Sequence, residues 1–264
     1  MMTETSMLLT LDVGNSNTVL GLYRLNSDEL VTSWRISTLR AQTIDEYGVL
    51  LLNLFSMRKI EATEVSSIII SSVVPPLDST LRQVCEQYFN LKAMFVEPGI
   101  KTGMPILVDN PAELGADRLV NGVAGFYKYG GPCIVVDLGT TINFDVISAA
   151  GEYLGGAIAV GIGIAIDALF SKTARLPMVD FRPPKDVVGT NTVASMRSGL
   201  YFGAIGMIDG ILERMVEKMG PDTALVATGG QARMIVDGSR YLKTVDEHLT
   251  LEGLAMIWER NHRS

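Results

Sequence analysis

Asp12-Val13-Gly14-Asn15-Ser16-Asn17-Thr18 joins an acid to a glycine and then to small hydroxyl and amide side chains. Glycine lets a backbone approach a phosphate closely, and the N–H groups and side chains after it can donate to the oxygens. An ionised Asp at the end of a strand can hold a divalent ion or its water shell beside them. Taken singly, the same string also reads as an ordinary Asn/Gly hairpin turn. A second copy, Asp137-Leu138-Gly139-Thr140-Thr141-Ile142-Asn143, lies near half the 264-residue length further on, again after an apolar run. Repetition favours the phosphate reading and suggests two related half-domains.

Gly115-Ala116-Asp117-Arg118 opens a helical stretch just after Asn110-Pro111. Arg118 could grip a carboxylate or phosphate, and Asp117 could accept a hydroxyl proton. The plainer alternative is a helix-start acid favoured by the dipole beside a solvated arginine. Thr228-Gly229-Gly230 ends a strand and either lies flat against a nucleoside or simply connects strand to helix. Gly161-Ile162-Gly163 has Ile166 where a dinucleotide fingerprint needs its third glycine, and reads as tight strand–helix packing. No Gly-x-x-x-x-Gly-Lys-Ser/Thr is present, which argues against a P-loop NTPase. His248 and His262 are read as surface residues, and no His/Cys spacing suits zinc. Histidine-based catalysis is therefore not expected.

The elements that must position these residues alternate between strand and helix. Met7–Val13, Thr18–Arg24 and Leu30–Ile36 read as strands, with turns at Gly14–Asn17 and Asn26–Glu29. Thr43-Ile44-Asp45-Glu46 is a capping box that opens a helix to about Lys59. A strand over Val65–Val74, stopped by Pro75-Pro76, is followed by a helix that Asp78 caps and by a short strand over Lys92–Val96. Glu113–Lys128 has helical spacing after the loop Gly99–Pro111. Strands then fall at Cys133–Asp137, Asn143–Ser148 and Glu152–Ala159, with helices at Ile164–Thr173 and Val193–Lys218. The strand Ala224–Thr228, a helix after Gly230 and a last helix over Thr250–Arg260 complete the chain. Each half reads β-β-β-α-β-α, an α/β fold of mixed sheets covered by helices. The expected lobes are 1–128 and 129–264.

Hydrophobic residues at 47% with 19% charged residues indicate a substantial core. A net charge of −7 is poorly suited to nucleic acid or to an anionic membrane. Cys85 and Cys133 are too few for a disulfide framework, which points to a reducing, cytoplasmic setting. Met1–Met7 carries Glu4 where a signal peptide needs basic residues. The apolar run Leu154–Ile166 is shorter than the ~20 residues of a spanning helix and reads as a buried strand turning into a helix. The glycines Gly199, Gly203, Gly206 and Gly210, three and four residues apart, suggest a close-packing helix face, one that could lie between subunits.

Together, the Asp12–Thr18 string, Gly115-Ala116-Asp117-Arg118, Asp137-Leu138-Gly139-Thr140, Gly155-Gly156 with Gly161-Ile162-Gly163, Leu176-Pro177, Gly189-Thr190-Asn191-Thr192, Thr228-Gly229-Gly230 and Leu251-Glu252-Gly253-Leu254 resemble the type III pantothenate kinases in kind and order. The resemblance spans nearly the whole chain. It implies two duplicated ribonuclease-H-like lobes with a cleft between them, the fold of sugar kinases, acetate kinase, heat-shock ATPases and actin. It also implies a homodimer that phosphorylates pantothenate with ATP and Mg²⁺, the first step of coenzyme A synthesis. On that resemblance Asp12, Val13, Gly14, Asn15, Ser16, Asn17, Thr18 and Val19 hold ATP, with Thr140. Gly115, Ala116, Asp117, Arg118 and Thr192 meet pantothenate, Asp117 is the general base, and Asp137 binds a monovalent cation, K⁺ or NH₄⁺. This chain departs from the family at Val108, where a tyrosine is common, at Ile142 in the second loop, and at Val160, where a proline is usual. Another small-molecule kinase of the same superfold, or a non-catalytic ATP-binding module, is the alternative.

Overall fold

Runs of Leu, Ile and Val with few interruptions are the signature of strands covered on both faces, and they form the centre of two sheets built to one plan. The computed structural model describes residues 6–25, 27 and 29–262. Asn26 and Asp28 of the second expected turn lie outside the described residues, as do residues 1–5. The first sheet contains β1 (Met7–Val13), β2 (Asn17–Arg24), β3 (Leu30–Ser37), β4 (Val65–Ser72) and β5 (Met94–Phe95), in the order β3-β2-β1-β4-β5. The second contains β6 (Cys133–Leu138), β7 (Thr141–Ile147), β8 (Tyr153–Val160), β9 (Ala224–Thr228) and β10 (Thr244–Val245), in the order β10-β9-β6-β7-β8. Counted within each half, both orders are 3-2-1-4-5. In both, the first strand pairs antiparallel with the second and parallel with the fourth. The duplication expected from the two Asp-x-Gly strings is therefore topological.

Helices α1 (Ile44–Met57), α2 (Pro75–Phe89), α3 (Ala116–Tyr129), α4 (Ile162–Lys172), α5 (Thr192–Met219), α6 (Ala232–Val236) and α7 (Leu249–His262) complete the α/β fold. The Thr43 hydroxyl accepts from the Glu46 N–H while Glu46 accepts from the Thr43 N–H, the reciprocal box read from sequence. Such a cap typically contributes about 1 kcal/mol. Helix α2 starts earlier than expected. Pro75 and Pro76 take its first positions, where a missing N–H costs nothing, and Asp78 accepts from the Ser72 hydroxyl at 2.6 Å instead of capping.

The chain divides into two compact units, one of Met1–Gly103, Ala112–Ala124 and Thr250–Ser264, the other of Met104–Pro111 and Gly125–Leu249. Helix α7 belongs with the first sheet's unit. A side chain at Gly253 would strike the Val120 carbonyl at 2.5 Å, one at Gly21 would meet Leu251 at 3.0 Å, and the Thr250 hydroxyl donates to Asn121 at 2.7 Å. In the first unit Leu9, Leu11, Leu20, Leu51, Phe55, Ile70 and Leu77 are sealed together. In the second, Ile134, Val136, Ile142 and Phe144 cluster with Ile208 and Leu212 of α5. Buried Asp209 of α5 accepts from the Ser239 hydroxyl (2.5 Å) and the Arg240 N–H (3.0 Å), fixing the turn before β10.

One expectation fails. The run from Leu154 is not a buried strand, because β8 ends the strand order of its sheet and, among the described residues, its outer flank carries only the bridge between Tyr153 and Ile106. Burial alternates along it, leaving Ile158 63% and Val160 51% exposed. Cys85 and Cys133 are both free and buried, and burial pushes each thiol up to about 12, so neither is a nucleophile at neutral pH. Among the described residues no helix is long and apolar enough to cross a membrane.

Candidate active site

In the first unit, Asp12 ends β1 between Val19 of β2 and Ser71 of β4. The Gly14 N–H closes the following turn on the Asn17 carbonyl at 3.0 Å, and a Cβ on Gly14 would lie 3.1 Å from that oxygen. Asn15, Ser16 and Asn17 are exposed, which leaves this turn on the surface of the unit. Thr18 differs, being buried with its hydroxyl 2.9 Å from that of Thr38. Its side chain braces the turn, and Val19 beside it is half-buried.

The Val73 N–H bonds to the Val13 carbonyl at 3.0 Å, so the chain leaving β4 lies beside the Asp12 turn. Val73 in turn comes within 3.5 Å of where a Gly115 side chain would begin. That brings Gly115-Ala116-Asp117-Arg118 to the same end of the sheet as the Asp12 turn. Asp117 folds back over Gly115, where a Cβ would lie 2.5 Å from Asp117 Oδ1. Asp117 Oδ1 accepts from the Arg118 N–H at 2.8 Å in the first turn of α3. Burial raises the Asp117 pKa above the ordinary carboxylate value, and the Arg118 N–H and the Arg118 charge pull it only part of the way back. A half-buried carboxylate less acidic than usual, oriented by a helix start, is suited to taking a proton from a hydroxyl.

In the second unit, Asp137 sits in register between Asn143 of β7 and Thr228 of β9. Three glycine motifs meet there. Gly229, at φ +91°, passes so close that a Cβ would be 2.5 Å from Asp137 Oδ1 and 2.7 Å from the Leu138 carbonyl. Gly161, just before α4, would drive a Cβ to 2.0 Å from the Thr140 carbonyl. Both glycines are close-approach positions around the second Asp-x-Gly turn, so Gly161 does pack tightly, but against that turn's backbone. The Thr228–Gly229 connection likewise packs on the turn and does more than join strand to helix. Asn143 is buried and accepts from the Thr141 hydroxyl at 3.1 Å.

The family departures have simple structural readings. Ile142 is fully buried in the core of the second unit. Val108 lies 3.8 Å from where a Gly155 side chain would start, and Val160 ends the exposed edge strand. Thr192 opens α5 behind the Asn191 cap. It lines a pocket of about 570 Å³ with Leu169, Leu176 and Met196. Among the described residues no group of three or more His, Cys, Asp or Glu could cage a metal. A strand-end carboxylate such as that of Asp12 or Asp137 suits a cation that shares its shell with phosphate, water or carbonyl oxygens. Sequence reading missed the contact between Gly229 and Asp137, which pairs positions far apart in the chain.

The profile of the type III pantothenate kinases matches residues 8–214. The type III pantothenate kinase of Solibacter usitatus is 68% identical over 97% of both chains. That of Koribacter versatilis is 60% identical over 97% of this chain and 96% of its own. Among solved structures, the activator of the 2-hydroxyisocaproyl-CoA dehydratase from Clostridium difficile with bound ADPNP aligns with a TM-score of 0.57 at 11% identity over 98% of each chain. MreB 5 of Spiroplasma citri bound to AMPPNP aligns at 0.53 and 13% over 99% of this chain and 98% of its own. These two likenesses show the α/β fold alone. With a matching profile, relatives of this identity and both Asp-x-Gly turns in place, the chain belongs to the type III pantothenate kinase family.

Proposed function

We propose that the chain phosphorylates pantothenate with ATP by in-line transfer, the first step of coenzyme A synthesis, with Asp117 as general base. Family membership across nearly the full length carries the activity. What supports Asp117 is its carboxylate, folded over Gly115 with a raised pKa at the same end of the sheet as the Asp12 turn. Asp117 takes the proton from the primary hydroxyl of pantothenate as that oxygen attacks the γ-phosphorus and ADP departs. Such a transition state asks mainly for positioning and charge neutralisation. The turn Asp12–Thr18 and Val19 hold the ATP phosphates, Thr140 contacts ATP, and Gly115, Ala116, Arg118 and Thr192 orient pantothenate. Mg²⁺ enters with ATP and spreads the phosphate charge. Asp137, cradled by Gly229 and flanked by Asn143, offers the single carboxylate that K⁺ or NH₄⁺ needs.

The test is pantothenate-dependent ADP release, measured in potassium and in sodium. Turnover requiring both pantothenate and potassium is expected. ATP binding without it would return the chain to the non-catalytic alternative, and equal rates in the two salts would remove the cation from Asp137.

We further place the enzyme in the cytoplasm as a homodimer joined through the second unit. Ile158 and Val160 of β8, Ile164 and Phe170 of α4, and Phe202 of α5 are large, apolar and exposed, and α4 packs on α5. A Cβ at Gly199, Gly203 or Gly206 would meet nothing within 4 Å, so that stripe of α5 is uncovered in the single chain. Exposed apolar surface on a bare sheet edge calls for a partner. Light scattering is expected to give twice the 28.6 kDa chain mass for the wild type, and the chain mass itself for Ile158→Glu/Phe202→Glu. A monomeric wild type would refute the assignment.

A further inference from the structure

The Asp12–Thr18 turn lacks a positive charge of its own, since its one charged residue is Asp12. A nucleotide triphosphate laid on it would face an acid and a set of neutral donors. A guanidinium reaches the turn from elsewhere in the same unit. The chain leaving β3 folds back over it through two bonds: the Thr38 N–H donates to the Ser16 carbonyl at 3.0 Å, and the Thr38 and Thr18 hydroxyls are 2.9 Å apart. Two residues on, Arg40 Nη2 donates to Asn15 Oδ1 at 2.9 Å, with both side chains exposed. Resting on the function proposed above, we infer that Arg40 is the cation of the first phosphate turn and contacts the ATP phosphates directly.

The chemistry fits the geometry. Guanidinium carries five N–H donors in a rigid fork, and the bond to Asn15 engages one end. The remaining donors are those that match phosphate oxygens. The bond to Asn15 also restrains a long side chain before any ligand arrives, which lowers the ordering cost of binding. Asn15 thereby gains a second role beside that of phosphate donor: its carbonyl aims the arginine. Thr38, braced on Ser16 and Thr18, fixes the backbone from which Arg40 departs.

The experiment measures KM for ATP and for pantothenate, with kcat, in Arg40→Ala, Arg40→Gln, Arg40→Lys and Gly14→Val. A charge-assisted hydrogen bond lost from a phosphate predicts a rise of about 10–100-fold in KM for ATP for Arg40→Ala. The KM for pantothenate should stay at the wild-type value. Arg40→Gln keeps a donor for Asn15 without the charge, and should fail as badly as Arg40→Ala. Arg40→Lys should recover part of the loss. A wild-type KM for ATP in Arg40→Gln would overturn the inference by showing that Arg40 merely props Asn15. So would an unchanged KM in Arg40→Ala while Gly14→Val, which crowds the Asn17 carbonyl, raises it. If Gly14→Val also leaves the KM for ATP unchanged, the phosphate turn itself is misassigned and both readings fall.

Discussion

Asp117→Asn should leave a folded protein whose kcat is lower by ~10²–10⁴, the usual worth of a positioned general base. The amide keeps the shape that Gly115 accommodates and can still accept the Arg118 N–H through its carbonyl oxygen. What it cannot do is take a proton. The stability argument separates this from a structural role. A carboxyl whose folded pKa lies above its unfolded value disfavours the folded state once pH exceeds the unfolded pKa, because burial opposes its ionisation. Replacing Asp117 by a neutral amide removes that burden, so the melting temperature at neutral pH is expected to hold or rise while turnover collapses. The acid limb of kcat/KM should lie above the ordinary carboxylate range, activity falling as Asp117 takes up its proton. Arg118→Gln deletes an influence that lowers this pKa and should move the limb to higher pH. Near-normal turnover in Asp117→Asn would remove the residue from the chemistry, and an Arg118→Gln limb moving downward would contradict the electrostatic account.

Local chemistry was readable in the sequence wherever one stretch of chain was enough to specify it. The Thr43–Glu46 box, the apolar strands and the paired Asp-x-Gly turns are instructions within a few residues, and both sheets follow from them. Periodicity could not say which strand would be the edge. Leu154–Val160 is as apolar as a central strand, and only the sheet order reveals that Ile158 and Val160 pair with β7 alone. Pro75 and Pro76 stop a strand and start a helix with the same missing N–H groups, so the sequence alone left the helix start ambiguous. Long-range partners were beyond reach altogether. Arg40 belongs to no motif, and its value lies in its approach to Asn15 from the chain that leaves β3. The last helix closes on the first unit because Leu251 and Gly253 fit against Gly21 and Val120, a match that no single segment announces.

Gly229→Ala should disable the response to potassium. At φ +91° an alanine is strained, which costs on the order of 1–3 kcal/mol wherever it occurs. Here the added methyl would also stand 2.5 Å from Asp137 Oδ1 and 2.7 Å from the Leu138 carbonyl, far inside contact distance. The second of these is backbone and cannot swing aside, so the chain at position 229 must back away from the turn and the setting of the Asp137 carboxylate changes with it. Shifting a group that orients a metal ligand typically costs 10–100-fold in metal affinity, and a rise of about that size is expected in the potassium concentration giving half-maximal rate. Gly99→Ala supplies the comparison, because Gly99 has φ +105° but nothing within 4 Å of a Cβ. It carries the backbone strain without the clash, so it should lose stability while keeping the wild-type potassium response. If the two variants titrate alike with potassium, the contact between Gly229 and Asp137 has no bearing on the cation. Should Gly229→Ala shift the potassium midpoint while Gly99→Ala does not, the second Asp-x-Gly turn and the Thr228–Gly229 connection act as one cation-holding unit, joined by packing across β6 and β9.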